Sequence, residues 1–180
     1  MRDKRRTNQC ENSEPWKGLA AGLIGGLLAS WTMNRFQDVW SRLLEPKEKS
    51  PNAPQEQSSS EPADDTTIKT ASAISEGLFH HTLTKDEKKL GGTLVHYSLG
   101  TGVGGLYGAA AEFAPEVTIV SGLPFGAVFW LVVDEGAVPL LGLAKGPTEY
   151  PLSAHVYALA SHLVFGVTAE FVRRTVRRAL

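Results

Sequence analysis

Residues 121–133 read SGLPFGAVFWLVV, and residues 152–171 read LSAHVYALASHLVFGVTAEF. The only residues in these two runs that can carry a charge near neutral pH are two histidines and a glutamate, and a turn rich in proline and glycine lies between the runs. A helix needs about 20 predominantly apolar residues to cross a bilayer. We therefore predict a transmembrane hairpin with spans at 117–143 and 152–172.

Two further apolar runs precede this hairpin. Residues 16–33 follow a basic N-terminal segment, and Trp16 and Trp31 bracket the run as interfacial aromatic residues do. Because no small-x-small cleavage site follows, we interpret this run as a retained signal anchor. Residues 91–112 contain no Lys, Arg or Asp. The prediction is an all-α integral membrane bundle of four transmembrane helices, with a long, partly disordered loop after the first.

The remaining segments are polar. Residues 46–65 are rich in Pro, Ser, Glu, Asp and Lys, which is typical of disorder. The sequence Thr84-Lys-Asp-Glu87 has the form of a capping box and predicts a helix start. We predict a basic cytoplasmic tail over 1–15 and a first transmembrane helix with an amphipathic extension over 16–44. A disordered loop over 45–71 and an interfacial helix with a capping turn over 72–90 follow. The rest is a three-helix transmembrane core over 91–174, with spans at 91–112, 117–143 and 152–172, and a basic tail over 175–180.

Glycines recur at every fourth residue in the first two spans. This spacing lines one helix face with hydrogen atoms, so that a neighbouring helix can approach closely. We predict that two glycine zippers pack helices together, within the chain or between copies. Their members are Gly18, Gly22 and Gly26 in the first span and Gly100, Gly104 and Gly108 in the second.

Composition narrows the class of protein. The formal net charge of −1 gives no reason to expect a nucleic-acid partner. The mean hydropathy of −0.12 averages a very polar loop with apolar spans. A lone cysteine, Cys10, rules out a disulfide within one chain. The alternative to a membrane protein is a soluble helical domain with buried glycine-rich helices. We expect the lipid bilayer as the partner, with a homo-oligomer as a further candidate.

Charge at the two ends of the chain predicts the topology. Basic clusters at residues 2–6 and 173–178 both favour the cytoplasmic side of a membrane. Four spans place both termini on one side. We therefore expect a multi-pass protein of the bacterial inner membrane with cytoplasmic termini.

Several motifs together resemble one family. They are Leu83-Thr-Lys-Asp-Glu-Lys88, His96-Tyr-Ser-Leu-Gly100, Gly104-Gly-Leu-Tyr107, Trp130-Leu-Val-Val-Asp-Glu135 and Glu170-Phe-Val-Arg-Arg174. In order and spacing they resemble the YagU-like family of small bacterial inner-membrane proteins, over residues 83–174. The resemblance implies a multi-pass membrane protein of unassigned activity, with a link to acid tolerance through one member. It implies no catalytic residues.

Ionisable groups inside the spans are the candidate site. In antiparallel spans, His96, Asp134, Glu135 and His155 fall at one level and His162 below them, because each residue adds about 1.5 Å along a helix. Glu112 and Glu170 fall near the opposite end. A charge in the bilayer centre costs at least about 2.5 to 3.5 kcal/mol, so these groups should face the interior. The candidate cluster is His96, Glu112, Asp134, Glu135, His155, His162 and Glu170.

Three interpretations of this cluster stay open. The groups hydrogen-bond one another and hold the helices in register, or they carry and sense protons, since histidine changes charge near physiological pH. The third is metal binding, for which no His-x-x-x-His spacing is present. We predict no metal, no cofactor and no enzymatic activity, because no nucleophile elbow or phosphate loop occurs. The leading hypothesis is a role in acid or envelope stress tolerance. The alternative is a small oligomeric channel or transporter subunit packed through its glycine zippers.

Overall fold

The computed structural model describes residues 14–44 and 62–180. The predictions for residues 1–13, including Cys10, and for the loop at 45–61 lie outside the described residues. Within the described ranges 89% of the residues are helical and no strand occurs, as predicted. The long helices are α1 (Pro15–Leu44), α2 (Pro62–Phe79), α3 (Lys85–Phe113), α4 (Leu123–Val132) and α6 (Leu152–Ala179), with a short α5 (Val138–Leu140) after α4.

Helix α1 lies in the middle of the bundle, where it packs against both α3 and α6. Its contact with α3 is made between glycines. A Cβ atom placed on Gly22 would lie 2.3 Å from the carbonyl oxygen of Gly104, and one placed on Gly26 would lie 2.2 Å from that of Gly100. Real Cβ atoms do not approach so closely, so side chains are excluded from this contact. The two glycine stripes seen in the sequence therefore face each other within one chain.

Helix α6 also makes close glycine contacts, with α1 on one side and with α4 on another. A Cβ atom on Gly25 of α1 would lie 2.8 Å from the carbonyl oxygen of Ala169. On its other side, a Cβ atom on Gly126 of α4 would lie 2.2 Å from the carbonyl oxygen of His162. Helices α1, α4 and α6 thus surround a small apolar core of Ala29, Met33, Phe129, Phe165 and Ala169.

The start of the third predicted span differs from the expectation. The sequence predicts a helix over 117–143, but α4 begins at Leu123, with Pro124 in its first turn, where proline is tolerated. A 3-10 segment, Pro115–Gly122, precedes it and contains a left-handed turn with φ of 48° at Val120, 55° at Ser121 and 82° at Gly122. A β-branched residue at positive φ is strained, and the surrounding contacts have to hold it there.

Helix α2 corrects the predicted extent of the disordered loop. The prediction extends disorder to residue 71, whereas α2 begins at Pro62. Proline is favoured at the first position of a helix, and α2 packs on α3: Cβ atoms placed on Gly91 and Gly92 would lie 2.9 Å from Ala71 and Ile68 side chains. Local composition indicated a loop, but this packing makes the segment helical.

The capping box at the start of α3 is confirmed. The Thr84 backbone N–H donates to Glu87 Oε2 at 2.8 Å, and the Glu87 backbone N–H donates to Thr84 Oγ1 at 3.4 Å. Thr84 is the N-cap residue and Lys85 the first residue of the helix. Two of the donors that a helix start leaves unsatisfied therefore have partners.

Two helical segments of the described chain are long and apolar enough to cross a membrane, Pro115–Leu140 and Leu152–Ala179. Helices α1 and α3 do not reach the same apolarity, because glycines stand where other spans carry larger apolar side chains. The prediction of four transmembrane helices thus has direct support for two. Large apolar side chains nevertheless point outward from several helices, among them Leu27, Leu28, Leu99, Leu106, Val128, Leu131, Val132, Val156 and Phe171.

Candidate functional site

Two consecutive acids lie on a widened turn. The segment Val133–Ala137 forms a π-helical turn between α4 and α5, closed by a hydrogen bond from the Val138 backbone N–H to the Val133 carbonyl oxygen. Adjacent residues of an α-helix diverge by about 100°, and a π turn reduces that divergence. Asp134 and Glu135 consequently both reach α6, where His162 and His155 lie two turns apart on one face. π turns occur frequently at functional sites.

His155 connects three segments of the chain. Its Nδ1 lies 2.7 Å from Glu135 Oε1, and its Nε2 lies 2.9 Å from the carbonyl oxygen of Pro147. The ring of Tyr150 stands perpendicular to the imidazole, with ring centroids 6.5 Å apart. The loop between α5 and α6 is thereby tied to the π-helical turn through one histidine. We call the set of Glu135, Pro147 and His155 the latch.

The latch requires one extra proton. A carbonyl oxygen only accepts hydrogen bonds, so Nε2 must carry a hydrogen. An ionised carboxylate also only accepts, and a neutral imidazole has a single N–H to donate. Both bonds therefore form together only when the His155–Glu135 pair is an imidazolium with a carboxylate, or a neutral imidazole with a protonated acid. In either form the pair has no net charge.

His162 forms a looser pair with Asp134. Its Nδ1 donates to the Ala158 carbonyl oxygen at 2.9 Å and lies 3.6 Å from Asp134 Oδ2, beyond hydrogen-bonding distance. The His162 ring is buried and meets the edge of Phe129 at 5.1 Å between centroids. The Asp134 side chain is 33% exposed. Its carboxylate is thus held near an imidazole that already gives its Nδ1 hydrogen to the backbone.

A cavity of about 910 Å³ lies beside these two pairs. Helices α1, α2, α3 and α6, the π-helical turn and the loop after α5 all contribute to its walls. His96 of α3 lines the same cavity, and its ring packs edge to face with that of Tyr97. Five of the seven predicted site residues therefore border one space: His96, Asp134, Glu135, His155 and His162.

The other two predicted residues lie at the opposite end of the bundle. Glu170 is 1% exposed and accepts hydrogen bonds from Tyr107 Oη at 2.9 Å and from Arg173 Nε at 2.7 Å. Arg174 also donates to it. Glu112 accepts from Arg177 Nε at 2.7 Å. These acids belong to an arginine network that joins α3 to α6 and are not part of the histidine site.

Sequence reasoning missed the partners in this network. It assigned the arginines at 173–178 to a basic stop after the last span, although Arg173 is buried against Glu170. The spacing from Glu170 to Arg173 and Arg174 is three and four residues, at which helical side chains meet. That spacing was a usable signal. The hydrogen bonds from Tyr107 to Glu170 and from Arg177 to Glu112 join residues far apart in sequence, and spacing gives no sign of them.

Among residues 14–44 and 62–180, no group of three or more His, Cys, Asp or Glu side chains is arranged to hold a metal ion. The pairs at the cavity are two separate contacts 20 and 28 residues apart in sequence and do not converge on one point. What the arrangement offers chemically is proton exchange between imidazole and carboxylate at the wall of a cavity.

The fold and site define a helical-bundle protein with candidate membrane spans and ionisable pairs beside an internal cavity. The chain belongs to the family described as "Protein of unknown function (DUF1440)", whose model matches residues 49–171. This match covers α2 to α6 up to Phe171 and so includes the latch, the cavity-facing acids and Glu170. No curated protein and no solved structure matches the chain.

Proposed function

We propose that the protein is a multi-pass protein of the bacterial inner membrane, similar to the YagU-like proteins, with both termini in the cytoplasm. The two apolar helical segments and the outward-facing leucines, valines and phenylalanine support this proposal. Large contiguous apolar surfaces are rare on soluble monomers. Helices α1 and α3 would be carried into the bilayer by their close packing with each other and with α6.

Within that membrane protein, the proposed role is non-enzymatic: a proton-responsive element that contributes to acid or envelope stress tolerance. The observation that carries it is the latch, in which His155 contacts two acceptors at once. Below neutral pH the extra proton is available and both contacts hold. When the proton leaves, one contact loses its hydrogen, and the loop that borders the cavity loses its tie to the π-helical turn. Acid therefore favours the tied state of this loop.

A channel or transporter subunit assembled through glycine zippers is less well supported. The glycines at 18, 22 and 26 face those at 100, 104 and 108 inside one chain, and a Cβ atom at Gly108 would lie 2.1 Å from the Gly18 carbonyl oxygen. Neither stripe is left for a second copy. A homo-oligomer would have to assemble through other surfaces, such as the outward-facing apolar side chains.

The experiment for the acid role is complementation of a strain from which the gene has been deleted. The triple variant His96→Gln, His155→Gln, His162→Gln should fail to restore survival at low pH at the expression level at which the wild type succeeds. The control is His80→Asn, which removes an exposed histidine and tolerates its backbone φ of 52°. Full complementation by the triple variant would refute the role.

Membrane insertion is tested separately. The protein should stay in the membrane pellet after extraction with alkaline carbonate and dissolve only in detergent. Release by carbonate would show that the chain is soluble or peripheral, and it would refute the multi-pass assignment.

A further inference from the structure

Two carboxylates belong to described residues of the cavity lining, Asp134 and Glu135, and they differ in whether a histidine lies within hydrogen-bonding distance. Glu135 is paired with His155 in the latch. Within the described ranges, Asp134 has one ion-pair contact, in which its Oδ2 lies 3.6 Å from His162 Nδ1. That nitrogen donates its hydrogen to the Ala158 carbonyl oxygen instead. Asp134 lines the cavity and its side chain is one-third exposed. The carboxylate therefore presents unused acceptor capacity to the cavity.

The other walls suit a large apolar ligand. Apolar side chains, aromatic rings among them, line the cavity from all six described helices. Its volume of about 910 Å³ falls in the range of roughly 300–1,000 Å³ found for small-molecule sites. The aromatic residues of the lining are Phe129, Tyr150, Tyr157 and Phe165. Aromatic faces attract cations, most strongly when the cation is desolvated.

We propose that this cavity binds lipophilic monovalent organic cations, of the quaternary ammonium or phosphonium class, with Asp134 as the counter-ion. A charge in an apolar, membrane-embedded space is unfavourable unless it is compensated. A cation with apolar substituents does both: its charge balances that of the carboxylate, and its substituents fill the apolar space. The assignment rests on the proposed membrane location and goes beyond the proposed acid role.

The other charged groups around the cavity are consistent with this ligand. His155 and Glu135 have no net charge as a pair, as the hydrogen bonds of the latch require. Lys85, Lys89 and Lys145 line the cavity but are exposed to solvent, so water and salt screen them from a ligand beside Asp134. Polar side chains such as Asn34, Gln37 and Thr93 also line the cavity, but most of its surface is apolar, so a small hydrated cation such as Na⁺ would lose water against apolar walls. The apolar walls thus select against it.

Two probes of matched shape and opposite charge test the proposal. Tetraphenylphosphonium and tetraphenylborate have the same size and apolar surface. The purified full-length protein in detergent should bind the phosphonium at least about tenfold more tightly than the borate, which corresponds to about 1.4 kcal/mol. Equal binding of both ions, or tighter binding of the borate, would overturn the proposal, and this arm needs no variant.

A matched pair of variants then tests Asp134 itself. Asp134→Asn should weaken phosphonium binding at least about tenfold and leave borate binding no weaker. The control Asp86→Asn makes the same change at an exposed position outside the cavity lining and should bind as the wild type does. Unchanged phosphonium affinity in Asp134→Asn would overturn the assignment. Co-elution of the variant with the wild type on gel filtration establishes that it is folded.

The pH dependence supplies a third readout. A proton and a cation compete for one carboxylate, so the phosphonium affinity of the wild type should fall as the pH falls. The Asp134→Asn variant should lose the part of this dependence that Asp134 causes and keep the part that the latch proton causes, because Glu135 and His155 line the same cavity. An undiminished dependence in the variant would contradict the role of Asp134. These outcomes are independent of acid survival, which is measured in cells with histidine variants. Failure of one proposal is therefore distinguishable from failure of the other.

Discussion

Gly22 of α1 and Gly104 of α3 lie in direct backbone contact: a Cβ atom on either residue would fall within 2.6 Å of the other's carbonyl oxygen. This contact defines how closely the first and third long helices approach. Because it is made by backbone atoms on both sides, neither partner can move a flexible side chain away to make room. Adding a single methyl group should therefore separate the helices.

The first prediction is that Gly22→Ala destabilises the protein by about 1–3 kcal/mol, the range for overpacking a close contact. Thermal unfolding in detergent measures it. Gly102→Ala is the matched control, since Gly102 lies in the same helix as Gly104 and nothing lies within 4 Å of a Cβ atom placed on it. There alanine should be neutral or stabilising by about 0.5–1 kcal/mol, because it restricts the unfolded chain. Equal destabilisation by both changes would contradict the close-packing model.

The second prediction concerns the buried acid of the arginine network. Glu170→Gln removes the charge that Arg173 pairs with, and Arg173 is only 8% exposed. Leaving one member of a buried ion pair without its partner costs about 3–5 kcal/mol, so the unfolding temperature should fall markedly. Glu116→Gln, an exposed acid in the segment before α4, should stay within about 0.5 kcal/mol of the wild type. A Glu170→Gln protein as stable as this control would show that the network is not a stabilising element.

The third prediction is acid fraying at the start of α3. Hydrogen bonds from the Thr84 backbone N–H and hydroxyl to the Glu87 carboxylate lower the pKa of Glu87. Since the folded pKa is lowered, the stabilisation is complete above the ordinary carboxyl pKa and disappears as the pH falls through the lowered value. Hydrogen exchange of the first turn of α3, corrected for the intrinsic rate, should rise over that acid range. Glu87→Gln should abolish the pH step, and an unchanged step would identify another group as its cause.

The fourth prediction addresses the latch directly. Hydrogen-exchange mass spectrometry of residues 141–151 reports whether the loop is tied to the π-helical turn. In the wild type, protection corrected for the intrinsic rate should decrease as the pH rises and the shared proton leaves. His155→Gln should show low protection at every pH, whereas His80→Asn should follow the wild type. A pH-independent wild-type loop would argue against proton control.

The sequence predicted the helical class, the capping box at Thr84 and Glu87, and the placement of His96, Asp134, Glu135 and His155 at one level with His162 below them. Each of these depends on local spacing or on helix length, which a sequence displays directly. It did not predict the π-helical turn that brings Asp134 and Glu135 to the same neighbouring helix, because a single-residue change in helical pitch leaves no periodic signal. Nor did it predict the left-handed turn at Val120, since valine disfavours positive φ and the close contact beside it, between Gly122 and the Gly166 carbonyl oxygen, joins residues far apart in sequence.

The sequence also did not predict that Asp134 would lie at the cavity and Glu170 in the arginine network. Asp134 and Glu170 both lie in apolar runs, and local spacing separates them only in part: Arg173 and Arg174 follow Glu170 at three and four residues, whereas no Lys or Arg lies within four residues of Asp134. Their difference comes from Tyr107 and Arg173, which neutralise Glu170, whereas no such donor reaches Asp134 among the residues that the structure describes. The Arg173 bond lies within one helix and is a local signal, whereas the Tyr107 bond depends on which helices are neighbours, and that information is not local.

The central position of α1 has a consequence for biosynthesis. Helix α1 leaves the ribosome first, yet the glycines that cover its own glycine face are at 100–108, and the alanine that covers Gly25 is Ala169. At roughly 5–20 residues per second, the chain needs on the order of several seconds to grow from Leu44 to Gly108. During this interval a backbone surface that fits another helix closely is open to any helix in the vicinity. Among the described helices, newly made α1 is thus open to wrong pairing until α3 and α6 have been synthesised.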